Sequence, residues 1–229
     1  YKEGNPIQTM VYGVCIGDEW MESMLGDKEN GIPGDPEKRE IWAEILGRRE
    51  KIGLPFLFWR DNADAGRPGV YKVKEKRIQA SNMCTEIMLP YEEDESFICC
   101  LASYNFTLYE YWKDTDLYLY SLLLLDAVLE EFIEKTEHIP HMHKTRNFAI
   151  NHRSVGIGIL GWHSYLQSKN IVFSDLEAIL LAADSTRGIK QKLVKASADM
   201  IDAGYERPKI FEGTDIKQRH ATLMAIAPT

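Results

Sequence analysis

What the chain lacks already narrows the classes of function open to it. It has no surplus of basic residues, because 27 Lys and Arg stand against 35 Asp and Glu, and the formal net charge is −8. A nucleic-acid backbone is attracted by a positive surface, so this balance argues against general nucleic-acid binding. Small anionic substrates remain compatible with it, since a few local donors suffice to bind them.

Long hydrophobic runs are also missing. The most apolar stretch, LYLYSLLLLDAVLEEFIE, is interrupted by Asp126, Glu130 and Glu131, so it is too short and too charged to span a bilayer. We therefore expect no membrane partner. The first residues, YKEGNPIQTM, contain neither an initiator Met nor the basic and apolar regions of a secretory signal, and we expect the chain to be a central portion of a longer protein.

Cysteine is scarce and unevenly spaced. The four residues are Cys15, Cys84, Cys99 and Cys100. They are too few for the disulfide framework of a small secreted protein, which favours a reducing cytoplasm. Cys15 stands far from the other three, and we interpret it as a buried structural thiol, the usual role of an isolated cysteine.

What is present is typical of a globular α/β protein, with 45% hydrophobic and 27% charged residues. A helix is predicted after Asp35 as N-cap and Pro36 as the first helical residue, ending at Gly53, and a strand is predicted over 56–59. The apolar residues expected on one face of this helix are Ile41, Trp42, Ile45 and Leu46.

The second half is predicted to be mostly helical. A largely buried helix starts at Asp116, and its apolar residues recur at helical spacing at Leu117, Tyr120, Leu124, Val128 and Phe132. Further helices are predicted over 162–168 and from Ser174 to Gly204, the latter with Ser174 or Asp175 and then Glu177 as a capping box. The end, HATLMAIAPT, is predicted to be a buried strand. Without repeats or linkers, residues 1–229 should form a single α/β region.

The stretch SNMCTEIMLP raises the question of chemistry. If Ser81 to Met88 is extended, Asn82, Cys84 and Glu86 project from one face, since side chains alternate along a strand. An amide can orient a hydroxyl, a carboxylate can accept its proton, and a thiol can exchange a hydrogen or an electron. This set suits a polyol such as a ribose. From spacing alone, an amphipathic edge strand with its polar residues facing solvent is the simpler interpretation.

The segments around this stretch resemble those of a known protein family. SNMCTEIMLP, followed after an acidic gap by FICCLASYNF, resembles the large, catalytic subunit of class I ribonucleotide reductases. IWAEILGRREKIGLPFLFWRDNAD, NHRSVGIGILGWHSYL and TLMAIAPT are similar to further segments of the same family. The similarity runs from about residue 41 to 229, while residues 1–35 match only weakly.

The resemblance implies a role for each matching residue. Cys84 would be oxidised transiently to a thiyl radical that abstracts the ribose 3′ hydrogen, Glu86 would be the general base on the 3′ hydroxyl, and Asn82 would bind the sugar hydroxyls and hold Glu86. Cys99 would be one of two redox-active cysteines that form a disulfide while supplying two electrons. A slip of one residue in the match would exchange Cys99 with Cys100.

Substrate contacts follow from the same match. They would be made by Ser81, Asn82, Cys84 and Glu86, together with Pro228 and Thr229 at the start of a phosphate-binding turn. A Pro that merely ends a strand is the alternative interpretation for the last two.

The implied fold is part of a ten-stranded α/β barrel, with the Cys84 stretch as a finger loop at its centre. The implied function is reduction of ribonucleotides, most simply diphosphates, to deoxyribonucleotides; the alternative is a non-catalytic remnant or assembly module. No cofactor is expected in this chain. By the same resemblance, a metal-containing small subunit would supply the radical, and thioredoxin or glutaredoxin would supply the electrons. Other segments of the large subunit would supply the second redox cysteine and the pair of tyrosines that passes the radical on. ATP or dNTP effectors would bind elsewhere.

Three other patterns have simpler interpretations. GIGILG, residues 156–161, matches a dinucleotide-binding motif literally, but RNFAINHR before it is too polar for the buried strand which that motif requires. The histidines at 138, 141, 143 and 152 lack the partners of a metal site, so a solvated loop is the better interpretation. YKVKEKR, residues 71–77, is interpreted as an exposed segment.

Overall fold

The computed structural model describes residues 10–228 of the chain. These residues divide into two compact units, one built from 10–67 and 77–90 and the other from 68–76 and 91–228. The Cys84 stretch belongs to the first unit, and the chain on both sides of it, at 68–76 and from 91 onward, belongs to the second. The expectation of a single α/β region stays a prediction.

The first unit is a small α/β arrangement. β1 pairs with β4 in parallel, with Gly13 opposite Phe56 and Ile16 opposite Trp59, and β2 pairs with β3 in an antiparallel hairpin. Its elements are β1 (Gly13–Ile16), α1 (Asp18–Leu25), β2 (Gly26–Asp27), β3 (Ile32–Pro33), α2 (Pro36–Ile52), β4 (Phe56–Trp59) and α3 (Arg60–Ala65).

The predicted ends of α2 are confirmed. The Asp35 side chain accepts hydrogen bonds from the backbone N–H groups of Glu37 and Lys38, at 2.9 and 3.2 Å, and so satisfies donors of the first turn. Gly53 closes the helix in the left-handed conformation with φ of 75°. The strand over 56–59 is confirmed as well. The expected apolar face is only half-covered, because no residue of α2 is buried in the described structure.

The second unit is mainly helical around a parallel strand pair. β5 and β6 run parallel, with Leu101 opposite Gly156 and Asn105 opposite Leu160. Its elements are α4 (Gly69–Val73), β5 (Leu101–Asn105), a 3₁₀ turn (Phe106–Leu108), α5 (Tyr109–Trp112), α6 (Leu117–Thr136), α7 (His143–His152), β6 (Gly156–Leu160), α8 (Trp162–Ser168), α9 (Leu176–Asp202) and a second 3₁₀ turn (Lys209–Phe211). None of the helices within residues 10–228 offers a stretch that would span a bilayer.

The prediction of a long helix after Asp116 is confirmed, but the predicted buried face is wrong. Tyr120, Leu124 and Val128 are exposed, at 65%, 65% and 47% of their full surface. The buried stripe is Tyr118, Leu122, Leu125, Leu129 and Ile133, which joins the core formed with α9. Apolar residues occur all around α6, so periodicity could not select the face that packs.

The other helical predictions hold with one change. α8 spans Trp162–Ser168 as predicted, and α9 begins after Asp175 as N-cap. The predicted capping box does not form, because the Asp175 side chain makes no capping hydrogen bond. The final predicted strand is reduced to one parallel bridge between Met224 and Ile157, with flanking backbone hydrogen bonds at 2.9 to 3.4 Å.

The glycines of GIGILG have a packing role. Gly156 and Gly158 lie inside β6, where a dinucleotide motif would place them in a turn. A Cβ atom at Gly158 would lie 2.2 Å from the backbone oxygen of Ala225, and one at Gly156 would lie 2.7 Å from the Ala225 Cβ. Glycine is therefore required here because the chain around Ala225 passes directly over the strand.

We predict that Gly158→Ala destabilises the protein by roughly 1 to 3 kcal/mol, because the new methyl group must displace backbone. The matched control is Gly188→Ala in α9, where a Cβ meets nothing within 4 Å, and it should stabilise the helix by up to about 1 kcal/mol. Urea unfolding followed by circular dichroism measures both. Equal effects of the two changes would contradict the close approach at Ala225.

Candidate active site

The stretch from Ser81 to Pro90 is a loop, so the extended strand with alternating faces that was considered for it does not form. Met83, Cys84 and Thr85 form a turn, in which the Thr85 N–H donates to the Asn82 carbonyl at 3.1 Å and Thr85 has φ of 65°. The Asn82 N–H donates to the Ile87 carbonyl, also at 3.1 Å. Local hydrogen bonds to an Asn side chain compete with strand pairing, and here they stabilise a loop instead of a strand.

Asn82 organises this loop with its side chain. Its Oδ1 accepts hydrogen bonds from the backbone N–H groups of Glu86 and Ile87, at 3.2 and 3.0 Å. Its Nδ2 donates to Glu86 Oε1 at 2.7 Å. One amide therefore fixes both the backbone of the loop and the orientation of the carboxylate.

The Glu86 carboxylate is used on one side only. Its Oε2 is buried and has no hydrogen-bond partner among residues 10–228. A buried acceptor without a donor costs about 1 to 3 kcal/mol, and more when it is charged. Such an oxygen is suited to accept a hydrogen bond, and then a proton, from a bound hydroxyl. The Cys84 thiol is exposed at the tip of the turn two residues earlier.

Buried apolar residues and one carboxylate hold the loop in the first unit. Ile87 and Leu89 are 6% and 5% exposed. At its start, Asp64 Oδ1 accepts the Ile78 N–H at 2.8 Å, and Oδ2 contacts the Arg77 and Arg67 guanidinium groups at 3.2 and 2.6 Å. Burial raises the pKa of Asp64, but these hydrogen bonds outweigh it and leave the pKa below its ordinary value.

Cys99 and Cys100 differ sharply in their surroundings. Cys99 is exposed, whereas Cys100 is 7% exposed with its Sγ 3.6 Å from the Leu125 carbonyl. Burial, with smaller effects of Asp126 and Cys99, raises the pKa of Cys100 to about 11. Since the thiolate is the reactive form, Cys100 is a poor redox group at neutral pH. This contrast favours Cys99 over Cys100 for the redox role.

The sequence predicts roles for four other residues, which are Ser81, Cys15, Pro228 and Thr229. Cys15 is exposed on β1, so the interpretation as a buried thiol is wrong; the strand alternates and turns Ile16 inward instead. Pro228 is exposed, beyond the bridge at Met224. Thr229 lies outside the described residues. Ser81 donates its hydroxyl to the Asn82 carbonyl at 3.1 Å.

A buried polar chain was missed by the sequence interpretation. The Tyr71 hydroxyl lies 3.1 Å from His152 Nδ1 and 3.2 Å from Ser154 Oγ, and His152 Nε2 lies 3.1 Å from Glu95 Oε2. Asn151 Nδ2 donates to Glu95 Oε1 at 2.6 Å. Tyr71 and His152 are 0% and 1% exposed. The segment 71–77 is thus not simply exposed, and His152 does not belong to a solvated loop.

The other three histidines considered as metal ligands do not form a metal site in the part of the chain that the structure describes. His138, His141 and His143 are exposed. Across residues 10–228, no group of three or more His, Cys, Asp or Glu side chains is arranged to hold a metal ion.

A second buried cluster centres on Asp126 of α6. Its carboxylate accepts hydrogen bonds from Arg153 at 3.3 Å and from Arg219 at 3.1 and 3.2 Å, and His220 Nε2 lies 3.4 Å away. Burial raises the pKa of Asp126, but the nearby His220 ring, the hydrogen bonds from Arg219 and the charges of Arg219 and Arg153 outweigh it, so the pKa falls well below its ordinary value. The cluster ties α6 to the end of α7 and to the chain that pairs with β6.

Comparison with known proteins assigns the family of this chain. The family model "Ribonucleotide reductase, barrel domain" matches residues 17–229. The chain belongs to the ribonucleotide reductase barrel-domain family. Its mixed helices and strands are part of that α/β barrel, and the match begins within the weakly resembling stretch 1–35.

Individual relatives agree with the family match. A class Id ribonucleotide reductase alpha subunit from Actinobacillus ureae superposes with a TM-score of 0.89 and 47% identity, covering 99% of this chain and 42% of that one. A protein of Frog virus 3 (isolate Goorha), provisionally named a ribonucleoside-diphosphate reductase large subunit, is 34% identical over 98% of this chain and 39% of its own length. The ribonucleoside-diphosphate reductase large subunit of Invertebrate iridescent virus 3 is 33% identical over 82% of this chain.

The match covers most of this chain but only part of each relative. The chain spans 39% of the Frog virus 3 protein and 29% of the Invertebrate iridescent virus 3 subunit. Less than half of each relative is therefore represented by these residues.

We predict that protonation of Glu95 at low pH lowers the free energy of unfolding of the protein. The hydrogen bond from His152, with those from Asn151 and the charge of Lys76, outweighs burial and lowers the pKa of Glu95 from 4.5 to about 2. A lowered folded-state pKa contributes stability above pH 4.5 that is lost as the pH falls toward 2, up to about 3 kcal/mol for this shift. Urea unfolding at pH 5.5, 4 and 3 should show a shallower pH dependence in Glu95→Gln, while Glu134→Gln on the exposed side of α6 should keep the native slope.

We predict that the adjacent cysteines alkylate at very different rates in the native protein. At pH 8, iodoacetamide should modify Cys99 and spare Cys100, because the Cys100 thiol is buried and its pKa is raised to about 11. Peptide mass spectrometry after a time course measures each site, and unfolding in urea should make the two rates similar. Faster native labelling of Cys100 would reverse the assignment of the redox residue.

Proposed function

We propose that this chain supplies the reacting loop of a ribonucleotide reductase large subunit and acts in the reduction of ribonucleoside diphosphates to deoxyribonucleotides. The observation that carries the proposal is the Glu86 carboxylate: one oxygen is held by Asn82 at 2.7 Å and the other is buried without a partner. It lies in the same turn as the exposed Cys84 thiol. Membership of the ribonucleotide reductase barrel-domain family supports the proposal.

Each group has one step in the proposed reaction. Cys84, as a thiyl radical, takes the hydrogen atom from C3′ of the ribose and becomes a thiol. Glu86 takes the proton of the 3′ hydroxyl through the unpartnered Oε2, and Asn82 keeps the carboxylate aimed. The 2′ hydroxyl then leaves as water after protonation.

The electrons come from two thiols. Cys99 and a second cysteine elsewhere in the large subunit each lose a hydrogen and join as a disulfide, which supplies two electrons and two protons. One proton goes to the leaving 2′ hydroxyl, and the other forms the new C2′–H bond together with one electron. The second electron reduces the carbonyl formed at C3′, whose oxygen regains the proton held by Glu86. The hydrogen atom then returns from Cys84 to C3′ and regenerates the thiyl radical. Thioredoxin or glutaredoxin would reduce the disulfide, and a metal-containing small subunit would generate the radical, in the cytoplasm.

The substrate's diphosphate would bind at the other end of the chain. Pro228 and Thr229 resemble the start of a phosphate-binding turn, and the exposed position of Pro228 is compatible with an open binding surface. Ser81, next to Asn82, would contact the substrate from the reacting loop. ATP or dNTP effectors would bind in other segments of the subunit.

We predict that Cys84→Ser lowers turnover by at least about 1,000-fold, the scale seen when an essential reacting group is removed. The assay is conversion of ribonucleoside diphosphates by the assembly reconstituted with the remaining large-subunit segments and the radical-generating subunit. Cys15→Ser, which changes an exposed thiol on β1, is the matched control and should keep native turnover.

Two outcomes would reject the proposal. Native turnover by Cys84→Ser would remove the catalytic assignment. No turnover by the unmodified chain in an assembly whose other parts are shown to be active would favour the alternative, a remnant or assembly module without catalysis.

We predict that Asn82→Asp and Asn82→Ala separate the two duties of this residue. Asp keeps the acceptor for the Glu86 and Ile87 N–H groups, so the loop should stay folded, but it sets a carboxylate against Glu86 and loses the donor at 2.7 Å. Turnover should therefore fall in both variants, whereas only Ala should increase amide exchange of Glu86 and Ile87. Hydrogen exchange and steady-state rates measure the two effects, and native turnover by Asn82→Asp would exclude an aiming role for the amide.

A further inference from the structure

The buried, hydrogen-bonded side chains of Tyr71, His152 and Glu95 have no role in the proposed reaction. All three residues belong to the second unit, and two of them, Tyr71 and Glu95, flank the stretch 77–90 that contains the reacting loop. Tyr71 precedes that stretch and Glu95 follows it, while His152 of α7 touches both through its two ring nitrogens, at 3.1 Å each.

A salt bridge also links the two ends of the stretch 77–90. Lys76, the last residue before the stretch 77–90, contacts Glu92 at 2.5 Å and lies 3.9 Å from Glu95. Glu92 and Glu95 exchange backbone hydrogen bonds at 3.0 and 3.3 Å, which makes 92–95 a tight turn. The two ends of the reacting stretch are therefore held to each other by side chains.

The turn at 92–95 is in addition fastened to α7. Asn147 Nδ2 donates to the Asp94 carbonyl at 3.2 Å, and the Ser96 N–H donates to the Lys144 carbonyl at 3.1 Å. Phe148 stacks on the His152 ring with centroids 4.1 Å apart and is fully buried. The hydrogen-bonded side chains of Tyr71, His152 and Glu95 are therefore held by a packed helix, α7, and have little freedom to move.

An ordinary core polar network would not need this arrangement. Burying Tyr, His and Glu side chains is costly unless every polar group is satisfied, and apolar residues of similar volume would serve stability at least as well. What these residues do that apolar ones could not is to fix both ends of one loop at defined hydrogen-bond distances. Fixed ends reduce the conformational freedom of the chain between them.

We propose that Tyr71, His152, Glu95 and Lys76 are positioning residues: they hold the two ends of the stretch 77–90 to each other and so limit the conformations open to the loop that carries Cys84 and Glu86. The proposal rests on the proposed function of that loop. Misplacement of a reacting group by 1 Å can cost about 100-fold in rate, so a clamp at the base of the loop matters for catalysis although it touches no substrate.

Tyr71→Phe tests the clamp by removing one hydroxyl without changing the shape of the core. The matched control is Tyr104→Phe, because Tyr104 is also a buried tyrosine of the second unit whose hydroxyl hydrogen-bonds a serine, Ser121. Hydrogen exchange of the chain itself, resolved by peptides, is the first readout, since it requires no turnover. In Tyr71→Phe, peptides covering 77–92 should exchange about tenfold faster, while peptides of β5 and β6 keep native rates.

Turnover in the reconstituted assembly is the second readout. Tyr71→Phe should lower kcat with KM for the ribonucleotide changed less than about twofold, because the reacting groups are misplaced while the phosphate-binding end is untouched. Tyr104→Phe should leave both constants near native. Lys76→Gln, at a position 22% exposed, is the second variant and should show the same exchange pattern if Tyr71→Phe does not fold.

The results decide between a clamp and a core network. Faster exchange confined to 77–92 supports the clamp. Unchanged exchange there, or equal acceleration in β5 and β6, overturns it, even if the variant is less stable. Because exchange is measured without substrate, a failure of reductase activity would reject the proposed function and leave the exchange result to judge the clamp.

Discussion

The hydrogen bond from Asn82 Nδ2 to Glu86 Oε1, at 2.7 Å, is the interaction on which the functional account depends. The same side chain accepts two backbone N–H groups, so the turn that exposes Cys84 and the aim of the Glu86 carboxylate have a common origin. It also leaves the second carboxylate oxygen buried and unpartnered within the described residues. A donor brought by a substrate would complete this arrangement.

Within each unit, buried carboxylates hold the chain at particular points. Asp64 binds the backbone where the loop begins, and Glu95 receives His152 and Asn151 where it has ended. Asp126 does the same for the chain that crosses β6. Each carboxylate has a lowered pKa, because the folded state surrounds it with donors and cations. The fold is therefore expected to tolerate neutral pH far better than strong acid.

Local signals predicted local structure well. Asp35, Pro36 and Gly53 mark the ends of α2 because capping acts within a few residues, and β4, α8 and α9 follow from similar short-range patterns. The buried face of α6 was beyond reach, since apolar residues surround that helix. The contact between Tyr71 and His152 joins residues 81 positions apart, and the turn at Cys84 depends on one amide side chain. The candidate site residues came from family resemblance, and their geometry came only from the structure.

A crystal structure of the reconstituted reductase with a ribonucleoside diphosphate would test the central claim most directly. The account predicts the ribose 3′ hydroxyl within hydrogen-bond distance of Glu86 Oε2, about 2.6 to 3.2 Å, with Asn82 still bound to Oε1 and the Cys84 sulfur facing C3′. A sugar bound away from this loop, or a Glu86 side chain turned from Asn82 toward solvent, would contradict it.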